Sequence, residues 1–228
     1  MSITYQSGGS GAIEESGANC VVSGLSWTAG WLVVATGSIY PSGTPGISDS
    51  NNNTWTQCQS YQANATEAQW YTIVTNGGSG ITVTFGTVGA SETGTFEVCA
   101  FSSSAGWLSS PVDQKSQATT SSASSLTATN SAANSQAVEL ALFKFVSGLA
   151  NGFSNFSSGY TSIQATTYAG CAYKATSAVE TSSCQVTVTG NTMIDALLTT
   201  FRTAFVPDED FGMRQPPPAA DPTVTVWG

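Results

Sequence analysis

The sequence predicts an all-β protein: a single jelly-roll-like β-sandwich built from two duplicated halves, with an N-terminal arm and a Pro-rich C-terminal extension. Three observations carry that expectation. Apolar runs of strand length recur between clusters of Gly, Ser, Asn and Pro. The order of those runs after residue 18 returns after residue 136. Only 8% of the 228 residues are charged, against about 25% in ordinary globular domains, so hydroxyls and amides must solubilise the surface, as in secreted and virion β-proteins.

Residues 1–17 are Gly- and Ser-rich, with Glu14 and Glu15 as the only charged side chains, and read as an arm that is flexible unless a partner holds it. The first half, residues 18–102, opens with a short strand at 19–22. Residues 30–40, G-W-L-V-V-A-T-G-S-I-Y, are apolar through most of their first part, as expected of a strand buried on both faces. A turn-rich loop follows and leads into T-W-T-Q-C. A-Q-W-Y-T-I-V (68–74) alternates, N-G-G-S-G makes a turn, and I-T-V-T-F (81–85) puts Ile81, Val83 and Phe85 on one face. That combination reads as a hairpin. T-F-E-V-C-A-F (95–101) closes the half.

Residues 103–135 form a Ser/Ala/Thr-rich crossover that composition alone would call a disordered linker. P-V-D-Q-K-S-Q-A-T and S-S-L-T-A-T within it are read as strands crossing between the halves. The second half, 136–205, repeats the first: A-V-E-L-A-L-F-K-F-V (137–146), Y-T-S-I-Q-A, G-C-A-Y-K-A-T, C-Q-V-T-V-T and M-I-D-A-L-L-T-T-F. Matched positions pair Trp31 with Ala137, Tyr71 with Tyr173, Val83 with Val186 and Phe96 with Ile194, at offsets that shrink overall, as when loops shorten in one copy. The economical solution is one sandwich in which corresponding strands complete two facing sheets. Residues 191–205 also fit a helix, capped by Thr192 with Ile194, Leu197, Leu198, Phe201 and Phe205 on one stripe, and 135–149 can be read the same way. Their alignment with strands of the first half favours strands. Residues 206–228 form a docking tail. Pro216, Pro217 and Pro218 make a stiff spacer, and T-V-T-V-W, with Val224, Val226 and Trp227, is a short strand in need of an edge on the same molecule or a neighbour.

Five Lys and Arg against fourteen Asp and Glu give a net charge of -9. Such a chain repels phosphate backbones and anionic lipid, so no nucleic-acid partner is expected. No apolar run reaches membrane-spanning length, and the N-terminus lacks the pattern of a secretory signal. With a native Met, that combination fits a protein assembled in a host cytoplasm; a mature secreted fragment given an added Met reads the same. The sequons at Asn52, Asn64 and Asn155 carry little meaning without a secretory route.

The five cysteines form no C-x-x-C pair and the chain has no histidine. This is neither a disulfide framework nor a zinc site. Cys20, Cys58, Cys99 and Cys184 sit in or beside apolar strands and read as buried thiols, with one bridge among the cysteines as the alternative. Lack of histidine removes Ser-His-Asp and Cys-His chemistry. A glycosidase-like carboxylate pair would have to come from Glu67, Glu92, Glu97, Asp113, Glu139 or Asp195, no two of which share a motif. Asp49-x-Asn51-x-Asn53 begins like a calcium loop, but Thr54 stands at the glycine position and Ser60 at the bidentate acid. A tight Asn-rich turn is the better account. No catalytic residue, metal or cofactor is therefore expected. Trp31 and Trp70 lie in core-like strands, whereas Trp55 and Trp107, beside loops, are candidates for a glycan or protein contact.

The order T-A-G-W-L-V-V-A, D-S-N-N-N-T-W-T, A-Q-W-Y, G-I-T-V-T-F, then G-Y-T-S, A-Y-K and A-L-L-T-T-F-R-T-A resembles a β-sandwich module recurrent in tailed-phage virion proteins and bacterial surface proteins. The likeness covers residues 20–205 and leaves out both extensions. It implies the fold and a virion or extracellular setting, and no reaction. The expectation is a non-enzymatic structural virion protein, a capsid decoration or head-fibre protein whose extensions dock on other virion subunits, the major capsid protein among them, or on a second copy. The alternative is a carbohydrate-binding adhesin of a tail fibre or bacterial surface, meeting host glycan through Trp55 and Trp107.

Overall fold

The structure, a computed structural model, describes residues 2–13, 19–40, 46–62, 66–86, 93–147, 153–157, 159–165 and 169–204. Among these no helix forms, and every paired strand is antiparallel. The strands are β1 (Ile3–Ile13), β2 (Cys20–Trp27), β3 (Leu32–Tyr40), β4 (Ile47–Asp49), β5 (Thr56–Gln62), β6 (Thr66–Ile73), β7 (Gly78–Phe85) and β8 (Thr93–Ser103), followed by β9 (Trp107–Thr129), β10 (Glu139–Ser147), β11 (Phe153–Phe156), β12 (Thr161–Ala165), β13 (Ala169–Ala175) and β14 (Ser183–Thr203).

β1 to β8 make two sheets. One has the order β1-β8-β3-β6-β5, and a smaller one, β2-β7-β4, lies over its outer face. Val33, Ala35, Ile39, Trp70, Phe96 and Val98 meet Val22, Leu25, Ile81, Val83 and Phe85 in the core between them. β3 and β6 are central and covered on both faces, which is why their sequences are apolar or small almost throughout. β7 is covered on one face only, and its burial alternates accordingly.

β9 to β14 form one curled sheet. β14 pairs with β9 along its length, with β11 over its first part and with β10 over its second. The register breaks between Thr187 and Thr192, around Gly190 at φ 81°. There the strand doubles over, so that Cys184, Val186 and Val188 share a core with Ile194, Ala196 and Leu198. β11 follows it across, setting Phe156 against Phe143 and Phe145 of β10 at ring distances of 6.0 and 5.9 Å.

The face of the five-stranded sheet that β2-β7-β4 leaves free packs on β10, β13 and the second part of β14. Near the chain ends this contact is apolar: Leu32, Val34, Tyr71 and Phe101 meet Leu140, Leu142 and Phe201. Tyr71 meets Phe201 edge-on at 6.2 Å and Phe101 lies 5.3 Å from Tyr173. Each ring buried there contributes about 1.5–3 kcal/mol. Both described ends are held at this pole by the turn between β8 and β9. Ser104 N–H donates to Ser2 O and Ala204 N–H to Gly106 O, each at 3.0 Å.

Several sequence expectations are corrected. Within the N-terminal stretch, expected to be flexible unless a partner holds it, residues 3–13 are held by the chain itself, because β1 pairs along β8 from Ile3↔Ser103 to Ile13↔Gly94; with so few side chains to place, Gly and Ser here serve an edge strand. The expected hairpin at 68–85 does not pair. Both edges of β6 are occupied by β3 and β5, and N-G-G-S-G carries the chain into the other sheet. The 103–135 segment does not cross between halves: it is β9, whose pairing among the described residues is with β14. As their alignment with the first half leads one to expect, residues 139–147 and 183–203 are strands. Each sheet is drawn from one stretch of chain, so strands of the two stretches do not combine in one sheet.

Candidate functional site

Away from the chain ends, the same interface turns polar. Strand alternation brings Thr36 and Ser38 of β3, Glu67 and Gln69 of β6, and Glu97 of β8 to the inner face of one sheet; Lys144 of β10 and Asp195 and Thr199 of β14 line the other. Glu67, Glu97 and Lys144 are 0% exposed and Asp195 is 1% exposed. Lys144 pairs with Glu97 across the two sheets. Ser38 Oγ donates to Glu67 Oε1 at 3.4 Å, and Thr119 Oγ1 donates to Asp195 Oδ1 at 2.5 Å. Gln59 Nε2 donates to Thr199 Oγ1 at 2.6 Å, and that hydroxyl donates to Gln69 Oε1. Among the described residues, Glu97 Oε1 and Glu67 Oε2 have no hydrogen-bond partner.

Burial governs the protonation of this seam. Desolvation pushes Glu67 up to about 8, against the opposing pull of Lys144. Glu97 is raised by the same cause, again opposed by Lys144. For Lys144 desolvation is the largest influence and acts downward, but Glu97, Cys171 and Glu67 together outweigh it and the ammonium is held above its ordinary value. Beside this pair a hydrogen bond to Cys99, then burial, raises the Cys171 thiol.

The other cysteines follow the sequence expectation of buried thiols. All five are free and buried, and desolvation raises Cys20 and Cys184 to about 11 and Cys58 to about 12. None of those three is poised as a thiolate nucleophile near neutral pH.

Of the candidate acids, Glu67, Glu97 and Asp195 converge on the seam. Asp113 and Glu139 form a second cluster, in which Asp113 accepts from Ser135 N–H at 2.7 Å and Glu139 Oε1 accepts from Gln136 N–H at 3.2 Å. Desolvation, then Asp113, pushes Glu139 up to about 7. Glu92 lies outside the described residues. Enclosed at 0–1% exposure, the three seam carboxylates present no surface to a polymer substrate.

The D-S-N-N-N loop is an asparagine knot. Asp49 Oδ1 accepts from Asn51 N–H and Asn53 Nδ2 at 2.8 and 3.1 Å, while Oδ2 accepts from Trp55 Nε1 at 2.7 Å. Asn53 Oδ1 accepts from the backbone N–H groups of Thr75 and Asn76 at 3.0 and 2.9 Å. Oxygens that a calcium ion would need are already engaged, and among the described residues no cluster of acids and cysteines suits a metal. The turn reading of this loop therefore describes what it does.

Trp55 is half-buried, its N–H held by Asp49 and its ring edge-on to Trp27 at 6.2 Å. Trp107 is 8% exposed and packed in the core between the sheets, which leaves it no ring face for stacking on a sugar. The tail residues Pro216, Pro217, Pro218, Val224, Val226 and Trp227 lie outside the described residues. No protein-family model, curated protein or solved structure matches the chain. Sequence reasoning overlooked Lys144. Its signal was a lone lysine between Phe143 and Phe145 in an otherwise apolar strand, where a charge needs a partner from another element.

Proposed function

We propose that the chain is a non-enzymatic structural protein of a tailed-phage particle, a capsid decoration or head-fibre protein built from two copies of one jelly-roll-like strand plan and docked through its terminal extension. One observation carries this reading: Glu67, Glu97, Lys144, Asp195 and the rings of Tyr71, Phe101 and Phe201 are turned inward where sheet meets sheet, while hydroxyl-rich strands such as β9 have an outward face. That is the economy of a rigid spacer rather than of a substrate pocket.

The duplication is supported by strand order and register. The order β1-β8-β3-β6-β5 corresponds to β9-β14-β10-β13-β12, and β2-β7-β4 corresponds to the later part of β9, the first part of β14, and β11. Tyr71, Val34 and Cys99 stand in register across three strands, as Tyr173, Leu142 and Thr199 do in the other half. Two such units are stacked face to face through the Lys144–Glu97 pair and the apolar contact of Leu32, Val34, Leu140 and Phe201.

The test is incorporation into particles. A chain lacking residues 207–228 is expected to keep the far-UV signature and thermal transition of the full chain but to be lost from purified particles. Unchanged incorporation would remove the docking role from the tail.

A further inference from the structure

We propose that Lys144 and Glu97 condense into an isopeptide bond, joining Nζ to Cδ and tying the two facing sheets covalently. The two residues come from different sheets, 47 positions apart, and meet directly with both side chains 0% exposed. Glu97 has one oxygen on Lys144 and the other without a partner among the described residues. Lys144 stands in register between Cys171 and Leu197, and Glu97 between Thr36 and Ser10, so backbone pairing on both sides fixes where each side chain projects.

Such a pair is poorly placed as an ion pair. Removing two charges from water costs several kcal/mol per ion, and their attraction repays this only when the remaining hydrogen-bonding positions are filled. A neutral amide has no net charge to desolvate. Holding amine and carboxyl in contact also supplies an effective concentration that reaches about 10⁵ M or more in well-oriented systems.

The step balances without an oxidant. The ammonium proton passes to the Glu97 carboxylate, leaving a neutral amine and a neutral acid. The amine lone pair attacks Cδ, the C–OH bond breaks, the nitrogen loses one proton, and one water departs. Glu67 is the positioned proton carrier: it lies on the same sheet face, fully buried, with Oε2 unpartnered. Burial keeps its carboxyl largely protonated at neutral pH. It gives its proton to the leaving hydroxyl and takes one from the nitrogen, ending as it began.

The test is the intact mass of the full chain under denaturing, reducing conditions. The expected result is the sequence mass less one water, with a branched peptide joining the segments around Lys144 and Glu97 after proteolysis. Lys144→Arg keeps the positive charge but is expected to show the full sequence mass, as is Glu97→Gln under conditions where no ammonia is lost. Wild-type protein at the full sequence mass, or a water loss mapped elsewhere, would overturn the bond. Glu67→Gln, with folding checked by its thermal transition, is expected to remain uncondensed. If it condenses as completely as wild type, Glu67 is not the proton carrier.

Discussion

Asn53 commits both polar atoms of its amide to more than one hydrogen bond. Its oxygen accepts from Thr75 and Asn76, and its nitrogen donates to Asp49 and to Asn76 O. Asn53→Ala removes these bonds and leaves buried groups unpaired, so a loss of about 2–3 kcal/mol is expected by urea denaturation. At Glu67 the expected effect depends on pH. Its folded pKa is raised from 4.5 to about 8, so the folded state holds a proton that the unfolded state releases first. Its contribution is complete below 4.5 and is lost as pH rises through 8. Thermal melts should therefore show stability falling across that window, with a shallower fall in Glu67→Gln. Four of the buried thiols were legible from sequence because Cys20, Cys58, Cys99 and Cys184 sit in or beside apolar runs. Lys144 with Glu97 was not, since 47 positions separate them and only the packing of two sheets brings them together.

At the level of elements, alternation revealed which faces are buried but not which strand lies alongside. The patterns at β6 and β7 were read correctly as strands, yet the turn between them changes sheets. A short Gly-rich turn permits either outcome, and the choice rests with the edges of β6 already being occupied. β9 was harder still, because Ser, Ala and Thr there give weak alternation and its order comes from pairing with β14. Two glycines test these elements. A Cβ at Gly37 would stand 2.6 Å from the Phe96 ring, which is fully buried. Gly37→Ala should cost about 1–3 kcal/mol, measured by chemical denaturation. Gly190 occupies the left-handed region where β14 doubles over, and Gly190→Val should cost about 1–2 kcal/mol by the same measurement.

For the molecule as a whole, the all-β class could be read from the chain, whereas the stacking of two sheets through a half-apolar, half-charged seam could not. Composition gave the sparing use of charge; it did not reveal that much of that charge is enclosed. The hydrogen bonds of Ser2 and Ala204 to the single turn between β8 and β9 put the two described ends side by side. A circular permutant closing residues 2 and 204 with a short Gly-Ser linker, and opened between Ser177 and Ser182, should fold with an unchanged near-UV spectrum. The same adjacency gives the chain a handle: cargo fused directly to Ser2 or Ala204 hangs from one pole, and the far pole stays clear for display.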